Sequence, residues 1–408
     1  MGRPSRMLLA LAVAALAAGA LTSVASASTS AGSAIAPAPA PAPKQAATKV
    51  GDEIAVSQAL GYASADQQTI SHPGATYIKV HFASMRLAPG DYVTVASPDG
   101  REVHTYHGDP ALGAAEAGDA DVTEHGTRGF AAMSVDGDTA VVTLHRTAAR
   151  SASATKGLGL TIDRYWRGFT QDEVVAANPG LYSVCSSDGR RDVVCYRTSH
   201  PTEFTRSGAV ARLLMGGGAC TTWRVGNTNR LLTNNHCMST QSAVAGSEVQ
   251  FGYQCATCGG NNPGTVTKVS GATLVKTSTG GSGQLDYTLY SVNSFSTIQG
   301  FGTLFLETRA PSSGERIYIP GHGDASPKRL SLYQESGQTS YCTVGNGNYN
   351  TWNMSYSCDT SGGNSGSPVL ASSSHRVIGL HHLGGCPNNQ GAKMNLIYQQ
   401  IQSLIDNG

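Results

Sequence analysis

The sequence Asp-Thr-Ser-Gly-Gly-Asn-Ser-Gly-Ser-Pro, residues 359–368, places Ser365 in a glycine-rich turn. Glycine permits backbone angles that a Cβ would forbid, and it lets a substrate carbonyl approach the main chain. The N–H groups of Gly363 and Ser365 can then converge on one oxygen atom, which is the geometry of an oxyanion hole. A glycine- and serine-rich surface loop has the same composition, so this stretch alone leaves both interpretations open.

Two further stretches favour catalysis. An apolar run, Leu231–Thr233, precedes His236, and Asp286 lies at the start of an alternating apolar strand. A serine hydroxyl is a poor nucleophile unless an imidazole takes its proton, and that imidazole must be oriented by a buried carboxylate. His236, Asp286 and Ser365 supply each of these roles once.

The order of these three motifs resembles that of the chymotrypsin- or trypsin-like serine endopeptidases. Within them, the chain resembles secreted bacterial lysyl and glutamyl endopeptidases. The Gly-Asn-Ser-Gly-Ser-Pro form is the one that glutamyl endopeptidases favour, whereas residues 185–195 and 209–214 resemble the start of mature lysyl endopeptidase. The resemblance covers residues 181–408 and implies an all-β double β-barrel with a closing C-terminal helix. Periodicity by itself indicates only strands, followed by a helix over 395–405.

The resemblance also implies a substrate-binding pocket formed by Asp359, Thr360 and His381. A carboxylate six residues before the nucleophile selects Lys or Arg in trypsin-like enzymes, which predicts a basic P1 residue. Glutamyl endopeptidases instead bind an acidic side chain with a histidine and a hydroxyl residue that match His381 and Thr360, and the lysine-selecting aspartate of lysyl endopeptidase is replaced near Asn389. A buried carboxylate would repel an acidic substrate, unless Asp359 is a hydrogen-bonded turn residue. The two alternatives remain open.

All nine cysteines lie at or after Cys185. Two pairs bracket local features, the strand pair before His236 and a hairpin before the serine loop, and the first also matches the family's histidine-loop disulfide. Resemblance to lysyl endopeptidase implies the other two pairs and leaves Cys255 over. The expected disulfides are Cys220–Cys237, Cys342–Cys358, Cys185–Cys386 and Cys195–Cys258. A zinc site at Cys255 and Cys258 would need a second closely spaced pair, which the sequence lacks, so we expect no metal and no cofactor.

The N-terminus predicts export. Residues 1–27 combine basic Arg3 and Arg6, an apolar core over 7–20 and a small-residue cleavage site, as a signal peptide does. The oxidising compartment outside the cell suits a cysteine-rich domain. A formal net charge of +1 gives no indication of nucleic acid or a membrane surface as a partner. We expect a secreted monomer that acts on proteins or peptides.

The region before the catalytic motifs divides into a spacer and a β-rich part. Residues 28–50 are rich in Ala and Pro and predict an extended linker. Residues 51–177 show period-two patterns and turn signals that predict a small β-sandwich, and its scattered histidines are assigned structural roles. The predicted strands include 77–82, 92–95, 101–106 and 139–144.

These observations predict a zymogen with a signal peptide (1–27), a linker (28–50), a removable β-sandwich pro-region (51–177) and a serine peptidase domain (178–408). No disulfide can tie the pro-region to the rest, and Asn178-Pro179-Gly180 marks a joint that proteases could cut. The alternative function is a secreted adhesive or carbohydrate-binding protein with an inactive protease fold. The complete set of catalytic roles disfavours that alternative.

Overall fold

A computed structural model describes Gly2 and residues 47–108, 129–180, 182–185, 187–260, 263–279 and 284–408. Apart from Gly2, the predicted signal peptide lies outside the described residues, as does the linker up to residue 46. Residues 42–408 belong to one unit. Among the described residues, no helix has the length and apolar character needed to cross a bilayer.

The N-terminal region forms two antiparallel sheets. One has the strand order β2-β10-β4-β7 with β8 also paired to β4, and the other has the order β3-β9-β5-β6. Both sheets contribute to one hydrophobic core, as a sandwich requires. The strands are β1 (Thr48–Lys49), β2 (Gly51–Leu60), β3 (Gln67–Ser71), β4 (Tyr77–Arg86), β5 (Tyr92–Ala96), β6 (Val103–Tyr106), β7 (Phe130–Ala131), β8 (Val135–Asp136), β9 (Thr139–His145) and β10 (Gly159–Gly168).

Alternation in the sequence explains most of this sandwich. In β5 and β9 every second residue is buried, including Val93, Val95 and Val142, while the residues between them are partly exposed. Strand β4 differs, because Tyr77 to Phe82 are all buried. The alternation over 77–82 predicts a half-buried strand, and that prediction is wrong, because Tyr77 and Lys79 on the second face contact Gly216 and Glu248 of the next domain.

A closed barrel follows the sandwich. Its sheet has the order β14-β13-β16-β17-β18-β15, and pairing of β14 with β15 closes it. Its interior is apolar. The strands are β13 (Val210–Met215), β14 (Gly218–Arg224), β15 (Leu231–Thr233), β16 (Glu248–Phe251), β17 (Thr267–Thr277) and β18 (Thr288–Val292).

The C-terminal part is a half-barrel with the order β12-β20-β19-β24-β25-β26-β22-β21, and the short β11 pairs with β23. A hydrophobic cluster with residues from both barrels joins them. The chymotrypsin-like double β-barrel is therefore confirmed. Its remaining strands are β11 (Tyr182–Ser183), β12 (Arg190–Asp192), β19 (Ile317–Gly321), β20 (Arg329–Ser331), β21 (Val344–Asn346), β22 (Asn353–Tyr356), β23 (Thr360–Ser361), β24 (Pro368–Ala371), β25 (Val377–Leu383) and β26 (Asn389–Lys393).

Helices are short and few among the described residues. They are α1 (Gln171–Ala177), α2 (Pro201–Ser207), α3 (Gln241–Ala245) and α4 (Met394–Ile401), with 3₁₀ helices at Val193–Tyr196, Phe295–Phe301, Gly323–Ala325 and Gln402–Leu404. A capping box of Thr170 and Glu173 starts α1. The helix predicted over 395–405 is present, although its last turn is 3₁₀. Ile397 and Ile401, four residues apart, bury one face of α4 in the cluster between the barrels.

The linker prediction is wrong for its last residues. Thr48 and Lys49 form β1, which pairs antiparallel with Ala219 and Gly218 of β14. The Val50 N–H continues the contact by donating to the Gly217 carbonyl over 2.7 Å. The sandwich is thus joined to the first barrel by main-chain hydrogen bonds as well as by side chains.

A buried ion pair crosses between the sandwich and the first barrel. Lys79 Nζ of β4 lies 3.2 Å from Glu248 Oε2 of β16, and both side chains are at most 2% exposed. The Glu248 carboxylate also accepts hydrogen bonds from the Ser134 backbone N–H and hydroxyl. Lys79 donates in addition to the Ala132 carbonyl. The buried charges at the second face of β4 are therefore paired with each other and hydrogen-bonded to neighbouring groups.

The four expected disulfides are all present, joining Cys185 to Cys386, Cys195 to Cys258, Cys220 to Cys237 and Cys342 to Cys358. Cys255 is buried outside these pairs, and its Sγ donates to the Gly260 carbonyl over 2.9 Å. Because Cys258 is bonded to Cys195, its sulfur cannot act as a thiolate ligand for zinc.

Candidate active site

His236 follows a fully buried strand that fixes its position. Strand β15 is buried at all three residues, and the Asn234 side chain donates to the Asp286 carbonyl over 2.8 Å. The Asn235 side chain donates to Thr277 Oγ1 over the same distance. The disulfide of the next residue, Cys237, to Cys220 of β14 anchors the other side of the histidine.

The structure brings His236 and Asp286 together. His236 Nδ1 lies 2.6 Å from Asp286 Oδ2, and the His236 backbone N–H donates to Asp286 Oδ1 over 3.1 Å. Burial opposes ionisation of the Asp286 carboxyl, yet hydrogen bonds from His236 and His382 hold its pKa well below the ordinary value. An ionised, buried carboxylate on Nδ1 fixes the ring orientation and leaves Nε2 available for the nucleophile.

His382 is a member of this site that the sequence analysis did not identify. Its Nδ1 lies 3.3 Å from Asp286 Oδ2, and its Nε2 lies 3.1 Å from Asn353 Oδ1. His381 and His382 are successive residues of β25, so their side chains point to opposite faces of the sheet. This alternation could have indicated the role of His382 from the sequence. It places His382 on the face opposite to the predicted pocket residue His381, and His382 contacts Asp286 there.

The loop of Ser365 is held against the first barrel by Thr221 of β14. The Thr221 N–H donates to the Ser365 carbonyl, and its hydroxyl donates to the Gly363 carbonyl, both over 2.8 Å. Gly363 has a φ of +97°, and a Cβ there would lie 2.4 Å from the His322 carbonyl oxygen. Glycine at 363 is therefore required by backbone angle and by space.

Within the described residues, no hydrogen-bond partner engages the His236 Nε2 atom or the two N–H groups that the proposed reaction would use. The His236 Nε2 atom is buried and has no hydrogen-bond partner there. Neither the Gly363 N–H nor the Ser365 N–H donates to another backbone group of the described chain. Ser365 itself is 5% exposed. Catalytic hydrogen bonds are often formed only when substrate is bound, so this arrangement suits a nucleophile, a base and two oxyanion donors.

The Asp359 carboxylate faces the start of the peptidase region. Oδ2 accepts the Gly189 N–H over 2.8 Å, and Oδ1 accepts the Cys185 N–H over 3.1 Å. Burial raises the pKa of the Asp359 carboxyl above its ordinary value, although these two hydrogen bonds act in the opposite direction. The carboxylate is hydrogen-bonded, as in the second role that the sequence left open, but its partners lie 174 and 170 residues away in the sequence and not in a local turn.

The other two predicted pocket residues are buried and polar. His381 Nδ1 lies 2.6 Å from the hydroxyl of Tyr356, and burial together with the neighbouring His382 and His236 lowers the pKa of His381 to about 3. The Thr360 hydroxyl is buried and has no hydrogen-bond partner among the described residues. A neutral imidazole and an unpaired hydroxyl can both donate to a ligand oxygen.

Comparison with known proteins identifies a peptidase domain in this part of the chain. The family model for a trypsin-like peptidase domain matches residues 220–380, which include all three predicted catalytic residues. The secreted RxLR effector protein 73 of Plasmopara viticola is 31% identical over 336 residues, which cover 78% of this chain and 77% of the effector. The chain belongs to the family of this effector protein. In the present chain, residues 220–380 form a trypsin-like peptidase domain.

Solved structures similar to part of this chain include two proteases. A Glu endopeptidase in complex with MPD is 21% identical, with a TM-score of 0.41, and the match covers 54% of this chain and 97% of that one. The inactive form of the Rv3671c protease is 13% identical, with a TM-score of 0.35, and covers 51% and 95% of the two chains.

Proposed function

We propose that this protein is a secreted serine endopeptidase made as a zymogen. The observation that supports it most is the 2.6 Å contact between His236 and Asp286 beside a buried serine loop. The disulfides support export, because such bonds persist in oxidising compartments. The N-terminal sandwich is the proposed pro-region, since no cysteine of the chain lies within it.

In the proposed mechanism, Ser365 Oγ attacks the scissile carbonyl while His236 Nε2 accepts its proton. The His236 cation is stabilised by Asp286, and the developing oxyanion is bound by the N–H groups of Gly363 and Ser365. His236 then delivers the proton to the leaving amine, which departs as the acyl-enzyme forms. Water repeats the sequence with His236 as base and releases Ser365. His382 acts as a positioning residue through Asp286.

The first test replaces Ser365 with alanine. Loss of the nucleophile should reduce casein hydrolysis by about 10⁶-fold and abolish labelling by a fluorophosphonate, because no oxygen remains to form the bond to phosphorus. Ser372→Ala is the matched control, since the Ser372 hydroxyl is buried in the same domain and makes no hydrogen bond among the described residues. That variant should retain labelling and activity.

Two results would contradict the proposal. Unchanged casein hydrolysis by folded Ser365→Ala would show that Ser365 is not the nucleophile. A folded wild-type protein that takes no fluorophosphonate label would favour the alternative, a secreted binding protein with an inactive protease fold. Secretion yield and thermal unfolding of each variant establish that it is folded.

For specificity, we propose an acidic P1 residue rather than a basic one. Asp359 is already bonded to two backbone N–H groups, whereas the Thr360 hydroxyl has no partner within the described chain. A Tyr356 hydroxyl that donates to His381 Nδ1 places the imidazole proton on Nε2, where it can donate to a carboxylate. Burial also raises the pKa of Tyr356 well above its ordinary value, which keeps that hydroxyl a donor.

Digestion of a denatured protein mixture tests this preference, because the new C-termini report P1 directly. Cleavage should follow Glu or Asp, and Thr360→Val should lower its rate by about tenfold, the effect of one lost hydrogen bond to a charged group. Thr303→Val is the control, since its hydroxyl contacts the Gly226 carbonyl, away from the pocket. New termini after Lys or Arg would instead assign Asp359 to the pocket floor.

A further inference from the structure

Strand β1 lies on the same edge of β14 as the proposed nucleophile. Along that edge, β1 pairs with Gly218 and Ala219, the Thr221 N–H binds the Ser365 carbonyl over 2.8 Å, and β15 pairs with Trp223 and Arg224. Only one residue of β14, Cys220, therefore lies between Ala219, where the pairing with β1 ends, and Thr221, which contacts the backbone of Ser365.

The direction of β1 is fixed by its antiparallel register. Lys49 opposes Gly218 and Thr48 opposes Ala219, so one more step places Ala47 opposite Cys220. Ala47 indeed packs against the cluster that contains Cys220 and Cys237. Successive strand residues advance by about 3.3 Å. The N-terminal end of β1 is therefore directed towards Ser365, and the chain that follows β1 leads away from it.

This polarity matches one half of a peptide substrate. The proposed P1 pocket residues, Thr360 and His381, belong to the half-barrel, so the acyl half of a substrate lies there. The leaving-amine half must then follow the first barrel, and it must run away from Ser365 as β1 does. An extended peptide binds most simply as an added strand on an unpaired sheet edge, and the edge at Gly218–Ala219 is held by β1.

We propose that β1 is an autoinhibitory strand, which occupies the binding position of the leaving-amine half of peptide substrates. The inference rests on the proposed function of the site. In the unprocessed chain, β1 then excludes extended peptides from the edge of β14, whereas it does not exclude a small probe that needs no contact with that edge. Removal of the N-terminal region opens the edge to peptides.

Asn178 clamps this strand in place. Its side chain accepts the Lys49 N–H over 2.9 Å and donates to the Lys49 carbonyl over 2.8 Å, and it also donates to the Val174 carbonyl at the end of α1. Asn178 is the first residue of the predicted processing joint. The joint and the strand are thus tied to each other, so a change at the joint also loosens β1.

The test compares an extended substrate with a small probe on the full-length protein. Asn178→Ala removes both contacts to Lys49, and Val50→Pro independently removes the N–H that binds Gly217. Asn178→Ala, which loses two hydrogen bonds, should hydrolyse fluorescent casein about tenfold faster than wild type, and Val50→Pro, which loses one, about fivefold faster. Labelling by a fluorophosphonate should stay within about twofold, since the probe places no peptide on β14. The initial rate of each reaction is measured, and the intact mass of the protein is recorded over the same period. Only rates from unprocessed chain are then compared.

Gln171→Ala is the matched control. Gln171 makes two polar contacts with the barrel side of the same interface, to the Asp324 carbonyl and the Ser326 hydroxyl, but none to β1 among its described contacts. It should leave both rates unchanged. An equal rise in casein hydrolysis with Gln171→Ala, or equal rises in labelling and hydrolysis with Asn178→Ala and Val50→Pro, would overturn the inference. So would unchanged casein hydrolysis in both folded variants. Absence of label in every protein would instead overturn the proposed function itself.

Discussion

The sandwich and the peptidase domain are built from similar strands but are held together by different means. The sandwich has no cysteine, and its core comes from alternating strands such as β5 and β9. The peptidase domain has four disulfides, and strands such as β15 and β18 are buried on both faces. All four disulfides therefore constrain the domain that holds the proposed catalytic residues.

The contact between the two regions is of a third kind. It combines an apolar cluster, which includes Trp166 and Leu214, with a buried ion pair and the main-chain contacts of β1. Buried charges are tolerated only while they are paired, and removal of one partner leaves the other in a medium of low polarity. An interface of this kind is stable when complete and is weakened strongly by the loss of one partner, which would suit the proposed removal of the N-terminal region.

Lys79→Met should have the largest effect on this interface. Glu248 would remain as a buried carboxylate without its cation, which costs about 3–5 kcal/mol. Urea unfolding of full-length Ser365→Ala protein, which cannot process itself under the proposed mechanism, measures the change in free energy of unfolding. The double variant Lys79→Met, Glu248→Gln should recover part of the loss, because the neutral amide is less costly to bury.

Lys276→Met provides the matched control for that experiment. Lys276 is exposed, and its Nζ donates to the Gln400 carbonyl, so its loss should cost less than about 1 kcal/mol. Equal losses at positions 79 and 276 would show that the buried pair does not stabilise the interface.

The candidate catalytic residues could be proposed from the sequence because each lies in a short motif of its own. The strand before His236, the strand after Asp286 and the glycines around Ser365 are local features, and their positions relative to one another follow from the fold. The four disulfide pairs depended instead on the family resemblance, because nine cysteines allow many pairings. The strands of the sandwich followed from period-two alternation.

The features that were missed depend on partners that are distant in sequence. Strand β1 has only two residues and no alternation, and its partner lies about 170 residues away. Lys79 alternates with Ile78 and Val80 as a solvent-facing residue does, so its burial could be recognised only once β16 was seen to cover it. The role of Asp359 likewise depends on Cys185 and Gly189. Local pattern predicts which face of a strand is apolar, but it does not predict what covers the other face.

The smallest expected effect is a loss of stability in acid at the rim of the same interface. Glu102 Oε1 lies 2.5 Å from Lys268 Nζ and 3.2 Å from His104 Nε2, and Oε2 accepts the Asp136 N–H over 2.9 Å. Burial alone would raise the pKa of Glu102, but the hydrogen bond to His104 and the charge of Lys268 lower it to about 2. Because the pKa of the folded state lies below the unfolded value, the stabilisation is fully present above about pH 4.5 and is lost as the pH falls towards 2. Since Glu102 is partly exposed and therefore screened, we expect it to contribute about 1 kcal/mol to the free energy of unfolding.

Urea unfolding of full-length Ser365→Ala protein at pH 5 and pH 3, with and without Glu102→Gln, measures this contribution. The substitution should reduce the difference between the two pH values, and an identical difference in both proteins would show that Glu102 does not contribute.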